Sequence, residues 1–140
     1  MEIVSPDFSE QVESLLNGLK LEDCVEPQEF HLAKKLNALP LGYDLTAFIF
    51  LKSDGEVIWF DFIDEKFGSS KDLQGLIRAI VSAAKRYPQF EKFIPERPEN
   101  SEVCRACNSK KLWGEDVSTK QPAKCIFCAG LGWTVEEEKQ

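Results

Sequence analysis

Four of the five cysteines are spaced as metal ligands. Cys104-Arg105-Ala106-Cys107 is followed by seventeen residues and then by Cys125-Ile126-Phe127-Cys128. A Cys-x-x-Cys turn can aim two sulfurs at one point, and a second turn completes a tetrahedron of thiolates, the shell that zinc prefers. Four cysteine ligands close the shell to water and substrate. The expected ion is therefore one structural Zn²⁺ held by Cys104, Cys107, Cys125 and Cys128, with iron as the other metal a four-sulfur site accepts. Gly130 and Gly132 follow the second turn and let the backbone take positive φ and fold back beneath the metal.

Two other chemistries compete for these cysteines. Paired disulfides need an oxidising compartment. The chain opens on Met-Glu-Ile-Val-Ser-Pro-Asp, with no apolar signal segment, and Cys24 would be left over. A thiol redox pair needs a Cys-x-x-Cys at a helix N-terminus after a strand. Neither pair has that setting.

Cys125-x-x-Cys128-x-Gly130-x-Gly132 resembles the repeat of the cysteine-rich zinc domain of the DnaJ chaperones, over residues 125–132. The first pair, Cys104-Arg-Ala-Cys107-Asn-Ser-Lys-Lys, lacks the glycines, and the single histidine, His31, lies in Phe-His-Leu rather than in the His-Pro-Asp signature of those chaperones. What the resemblance implies is the metal geometry alone, without chaperone activity.

A core is needed to carry this module. The chain is 43% hydrophobic with ten Phe and three Trp, and its net charge is −7. Length and composition fit one compact domain with an appendage. The acidity is uneven. Residues 104–128 carry five basic side chains, Arg105, Lys110, Lys111, Lys120 and Lys124, against two acidic ones. Lysines offset the net charge of a four-thiolate zinc centre. Their alternative use is a small nucleic-acid contact, which the acidity of the rest of the chain opposes. No run reaches the ~18 apolar residues of a membrane span, and the chain is read as cytoplasmic.

The elements follow from periodicity. Phe8, Val12, Leu15, Leu16 and Leu19 predict a helix over 6–17, with Ser5 as cap and Pro6 first inside. A short edge strand is one reading of 19–25. Pro27 opens a second helix to about Asn37, with Phe30, Ala33 and Leu36 or Leu32 inward, and with His31 at the surface or core edge rather than acting as a ligand. Leu39 to Asp44 reads as a break. Leu45–Leu51 and Glu56–Ile63 flank Lys-Ser-Asp-Gly and predict a hairpin over 45–63, apolar on both faces, needing helices and a third strand. Asp61, Asp64 and Glu65 follow. They read as a solvated loop, with a divalent-cation or general-base site as the alternative. Ser70 is the expected cap of a helix over 71–87. Residues 89–94 add a turn, 96–103 form a linker, and 111–113 and 132–135 are the expected paired strands of the zinc module, with their tryptophans packed. The predicted fold is α+β: a small antiparallel sheet packed by helices (1–95), a linker (96–103), a zinc-ribbon-like four-Cys module (104–135) and an acidic tail (136–140).

Residues 36–87 resemble the SUKH superfamily, through Leu39-Pro40, Tyr43, Gly55, the aromatic strands, the acidic loop and the long helix. Many members are immunity proteins that bind and neutralise toxins, so the resemblance implies an α+β fold and a protein partner. The zinc module is an addition to that pattern.

No Ser-His-Asp set, phosphate-cradling glycine loop or open metal site is present, so no enzyme is expected. The sequence is read as a non-enzymatic zinc-binding protein that recognises a protein partner. A basic partner suits the acidic surface, as an immunity or inhibitor protein against a toxin would require. The alternatives are a nucleic-acid-associated zinc ribbon and a thiol redox enzyme.

Overall fold

The computed structural model describes residues 3–97, 99, 101–104, 112–115, 122–124, 128–129 and 131–135, the segments 112–115 and 122–124 as backbone alone. The chain divides into two compact units, Met1–Lys71 and Asp72–Gln140. The long third helix thus groups with the cysteine-bearing end.

The first unit is built from helix α1 (Pro6–Asn17), a 3₁₀ turn (Leu21–Asp23), helix α2 (Pro27–Leu36) and strands β1 (Leu39–Asp44), β2 (Ala47–Leu51), β3 (Val57–Asp61) and β4 (Lys66–Ser70). The strands form one antiparallel meander in the order β1-β2-β3-β4. The fold is α+β.

Both helices begin where their sequences dictate. The Ser5 Oγ accepts the Phe8 N–H at 3.2 Å, and Pro6 occupies the first turn, where its missing N–H costs nothing. Pro27 opens α2 in the same way, and Asn37 ends it at φ 53°, a left-handed position that asparagine tolerates. The expected Asp-Gly turn joins β2 to β3. Gly55 stands at φ 90°, and the Asp54 carboxylate accepts the Glu56 N–H at 2.9 Å. That bond, aided by Lys71 and Lys52, holds the Asp54 carboxyl below its ordinary value.

Strand alternation then sorts the side chains. Phe48 opposes Phe60, and Phe50 opposes Ile58. Leu16 and Leu19 of the α1 end, Ala33 of α2, and Ala38 close over these four in one buried cluster, with Cys24, Phe30, Leu32, Leu36 and Phe62 packed against it. Each such large side chain contributes about 1.5–3 kcal/mol on full burial. Ile49 and Trp59 face the other way. There the Trp59 ring lies over Gly68 of β4, so close that a Cβ on Gly68 would stand 2.2 Å from its Cε2.

Strands β1 and β4 correct the sequence expectation, which made 39–44 a break and placed no strand between the acidic loop and the Ser70 cap. Pro40 sits at the sheet edge, where it removes no ladder bond to a further strand. The register shifts between Pro40 and Tyr43, a bulge at which Gly42 takes φ 92°. The bulge is held by Glu29, which is 0% exposed. Its Oε2 accepts the Gly42 N–H at 2.8 Å, and its Oε1 accepts the Val25 N–H at 2.9 Å. Residues 21–23 form the 3₁₀ turn rather than an edge strand.

The second unit contains helix α3 (Leu73–Arg86), a 3₁₀ segment (Pro88–Phe93) and short strands β5 (Glu102–Val103), β6 (Leu112–Glu115), β7 (Pro122–Lys124) and β8 (Trp133–Thr134). Asp72, not Ser70, caps α3 by accepting the Gly75 N–H, because Ser70 is committed to β4. The strand pairing also differs from expectation. β6 pairs with β7 and β8 with β5, rather than 111–113 with 132–135. The Val135 N–H donates to Gln74 Oε1 of α3 at 3.0 Å, and Trp133 is buried. No helix among the described residues is long and apolar enough to cross a membrane.

Candidate functional site

Cys104 and Cys128, the outer two of the four spaced cysteines, are brought together from the two ends of the motif. Val103 pairs with Trp133, and the next residue, Cys104, donates its N–H to the Gly132 carbonyl at 3.1 Å. β5 and β8 thereby bring Cys104 alongside the turn that begins at Cys128. That turn is tight. The Leu131 N–H donates to the Cys128 carbonyl at 3.0 Å, Ala129 takes φ 55° and Gly132 takes φ 89°. The positive φ expected of the glycines is found at Gly132, while Gly130 lies outside the described residues, and Ala129 adopts the same region despite its Cβ.

The turn points the Gly132 N–H at Cys128 Sγ, 3.3 Å away. A backbone donor aimed at sulfur favours negative charge on that sulfur. Cys104 and Cys128 are 1% and 0% exposed and form a buried cluster with each other. Cys107 and Cys125 lie outside the described residues, as do Arg105 and the side chains of Lys110, Lys111, Lys120 and Lys124, and the tail 136–140. Among the described residues no group of three or more Cys, His, Asp or Glu side chains is arranged to hold a metal ion.

The carboxylates after β3 have a structural use. Asp61 Oδ1 accepts the N–H groups of Ile63 at 2.9 Å and Asp64 at 3.1 Å, and Oδ2 accepts the Thr46 hydroxyl at 3.2 Å. The Asp64 N–H, followed by Ile63, Thr46 and the charge of Lys66, holds the Asp61 carboxyl below its ordinary value. Asp61 thus closes the β3–β4 turn and ties it to the β1–β2 turn. Asp64 and Glu65 are exposed.

The remaining candidates fall at the surface or the core edge. His31 is exposed beside the Phe30 ring, and Cys24 is half-buried against the core of the first unit. Sequence reasoning singled out Tyr43 but not its partner: its hydroxyl donates to Glu26 Oε2 at 2.7 Å. That bond pushes the Tyr43 phenol above its ordinary value.

No protein-family model, curated protein or solved structure matches this chain.

Proposed function

We propose that this chain is a non-enzymatic binding protein whose C-terminal end is clamped by one structural zinc ion. The observation that carries the zinc reading is the convergence of Cys104 and Cys128. They are buried together although far apart in sequence, and a backbone N–H is aimed at the Cys128 sulfur. Burying two thiols beside each other with a charge-stabilising donor suits thiolates that share a cation. Each of these cysteines opens or closes a Cys-x-x-Cys pair, so Cys107 and Cys125 supply the other two ligands. The similarity of residues 125–132 to the DnaJ zinc repeat supports the same assignment. The ion stabilises structure; its four-sulfur shell leaves no position for a reacting group. A reducing cytoplasm keeps such thiols available to metal.

The α+β unit then supplies recognition. Its carboxylates suit a basic protein partner, and the likeness of residues 36–87 to the SUKH superfamily favours an inhibitor or immunity protein directed at a toxin.

The test is zinc removal. A chelator should take one zinc per chain and unfold the β5–β8 pair, read as exposure of the Trp133 indole and loss of the Val103 and Cys104 amide signals. The amides of Phe48, Phe50 and Phe60 should keep their native shifts. A chain that holds no zinc, or keeps β5–β8 after losing it, overturns the zinc clamp. A single Cys107→Ser or Cys125→Ser substitution should reproduce the loss, and Cys24→Ser should not.

A further inference from the structure

The two hairpins of the meander that end at β1–β2 and β3–β4 turn at the same end of the sheet. Each turn carries a large apolar side chain in water. Leu45 is 86% exposed and Ile63 is 70% exposed, the two highest values among the large hydrophobics of the described residues. Scattered exposed leucines are ordinary. Here the placement is not scattered. Turn positions of this kind favour Gly, Asn and Asp, and Leu45 stands at φ 55°, where a leucine gains nothing for the fold.

The two tips are fixed to each other. The Phe62 N–H donates to the Thr46 carbonyl at 3.1 Å, and the Thr46 hydroxyl donates to Asp61. Beneath them the rings of Tyr43, Phe48 and Phe62 pack in mutual contact, with centroids 4.8 Å, 5.7 Å and 5.5 Å apart. Leu45 and Ile63 are therefore presented on a preorganised platform, which spares a partner the cost of ordering loops. The rim is charged. Asp44, Asp64 and Glu65 are exposed beside the two apolar residues, Asp61 and Glu26 flank them through Thr46 and Tyr43, and Lys66 is the cation of these two turns.

We propose that this end of the sheet is the docking surface of the chain. Its occupant is a basic protein segment that seats apolar side chains on Leu45 and Ile63 and places lysines or arginines against Asp44, Asp64 and Glu65. The inference rests on the protein-recognition reading above and locates it. The apolar pair supplies the anchor, and the carboxylate rim supplies selection and approach rate.

The experiment uses the zinc-loaded full chain, labelled with ¹⁵N, and a short amphipathic helical peptide of lysine and leucine as probe. The amides of Tyr43–Thr46 and Asp61–Lys66 should shift first and together. The same peptide with glutamate in place of lysine should produce no shifts. Leu45→Gly and Ile63→Asn should each weaken the lysine peptide about tenfold, the loss expected of an interface anchor. Both residues are exposed, so neither substitution should lower the thermal midpoint, and Leu45→Gly should raise it by relieving the left-handed leucine. Binding that survives both substitutions overturns the proposal. Shifts centred on another surface overturn it while leaving protein recognition standing. Absence of binding anywhere removes both.

Discussion

The buried Glu29 ties the edge strand β1 to the start of α2. Its carboxylate is 0% exposed and bridges the start of α2 to the β1 bulge through the Val25 and Gly42 N–H groups. Hydrogen bonds to a charged group each contribute about 1.5–3 kcal/mol net. Glu29→Ala removes both and strands the Gly42 N–H, which lies in a buried bond. Leaving one such donor unsatisfied costs about 1–3 kcal/mol, and the vacated side-chain volume adds to it. Val25 is half exposed, so its N–H turns to water cheaply. The loss should total about 3–4 kcal/mol. Glu29→Gln keeps the shape and one carbonyl acceptor, which can stay on Gly42, and should cost about 1–2 kcal/mol. Urea denaturation of the full chain measures both, with the exchange rate of the Gly42 amide as the local readout. The expected order is Ala worse than Gln, with Gly42 exchanging faster in the alanine variant. An alanine variant that loses less than about 1 kcal/mol, or a glutamine variant equal to it, would refute the bridging role.

Two further predictions concern the same sheet. Gly68→Ala should displace the Trp59 ring, because the new Cβ would stand 2.2 Å from it. The half-exposed ring can swing outward, so the cost should be about 1–2 kcal/mol, seen as a changed indole N–H shift for Trp59 and a lower urea midpoint; an unmoved indole signal would contradict the contact. Asp61 has a folded-state value below its ordinary 3.8, so its contribution is present above the unfolded value and is lost as pH falls through the folded one. The Ile63 and Asp64 amides should therefore titrate with a midpoint below 3.8 and stop doing so in Asp61→Asn. A midpoint at or above that value would show that the turn does not hold the carboxylate.

Helices α1 and α2 were legible because each carries its own punctuation. Ser5-Pro6, Pro27 and the stop at Asn37 bracket apolar residues at helical spacing, and burial of Phe8, Val12 and Leu16 agrees with that spacing. The β2–β3 hairpin was legible from Asp54-Gly55 and its aromatic strands. The edge strands were not. β1 contains Pro40 and Gly42, which locally argue against a strand. They are admitted by an edge position and by a glutamate thirteen residues away, neither of which is a local signal. β4 reads Lys-Phe-Gly-Ser-Ser, with little strand propensity of its own. Its glycine makes sense only opposite Trp59. An earlier signal existed for both, since a hairpin apolar on two faces demands neighbours. With β4 unread, the cap of α3 was placed two residues early, at Ser70 instead of Asp72.

At the cysteine end the motif spacing pointed to the convergence of Cys104 and Cys128, while the strand partners stayed hidden. Segments of two to four residues, such as β5, β6, β7 and β8, carry too little pattern to choose a register. The exposed pair Leu45 and Ile63 was hidden for a different reason. In sequence they extend the apolar runs of the strands, and only the turn positions put them in water.

X-ray absorption at the zinc K-edge of the full chain purified without added metal, together with metal content by mass, tests the four-sulfur clamp. One zinc per chain with a shell of four sulfurs at about 2.3 Å is the predicted result. A chain carrying no zinc, or a zinc bound by nitrogen and oxygen, would contradict the clamp built on Cys104, Cys107, Cys125 and Cys128.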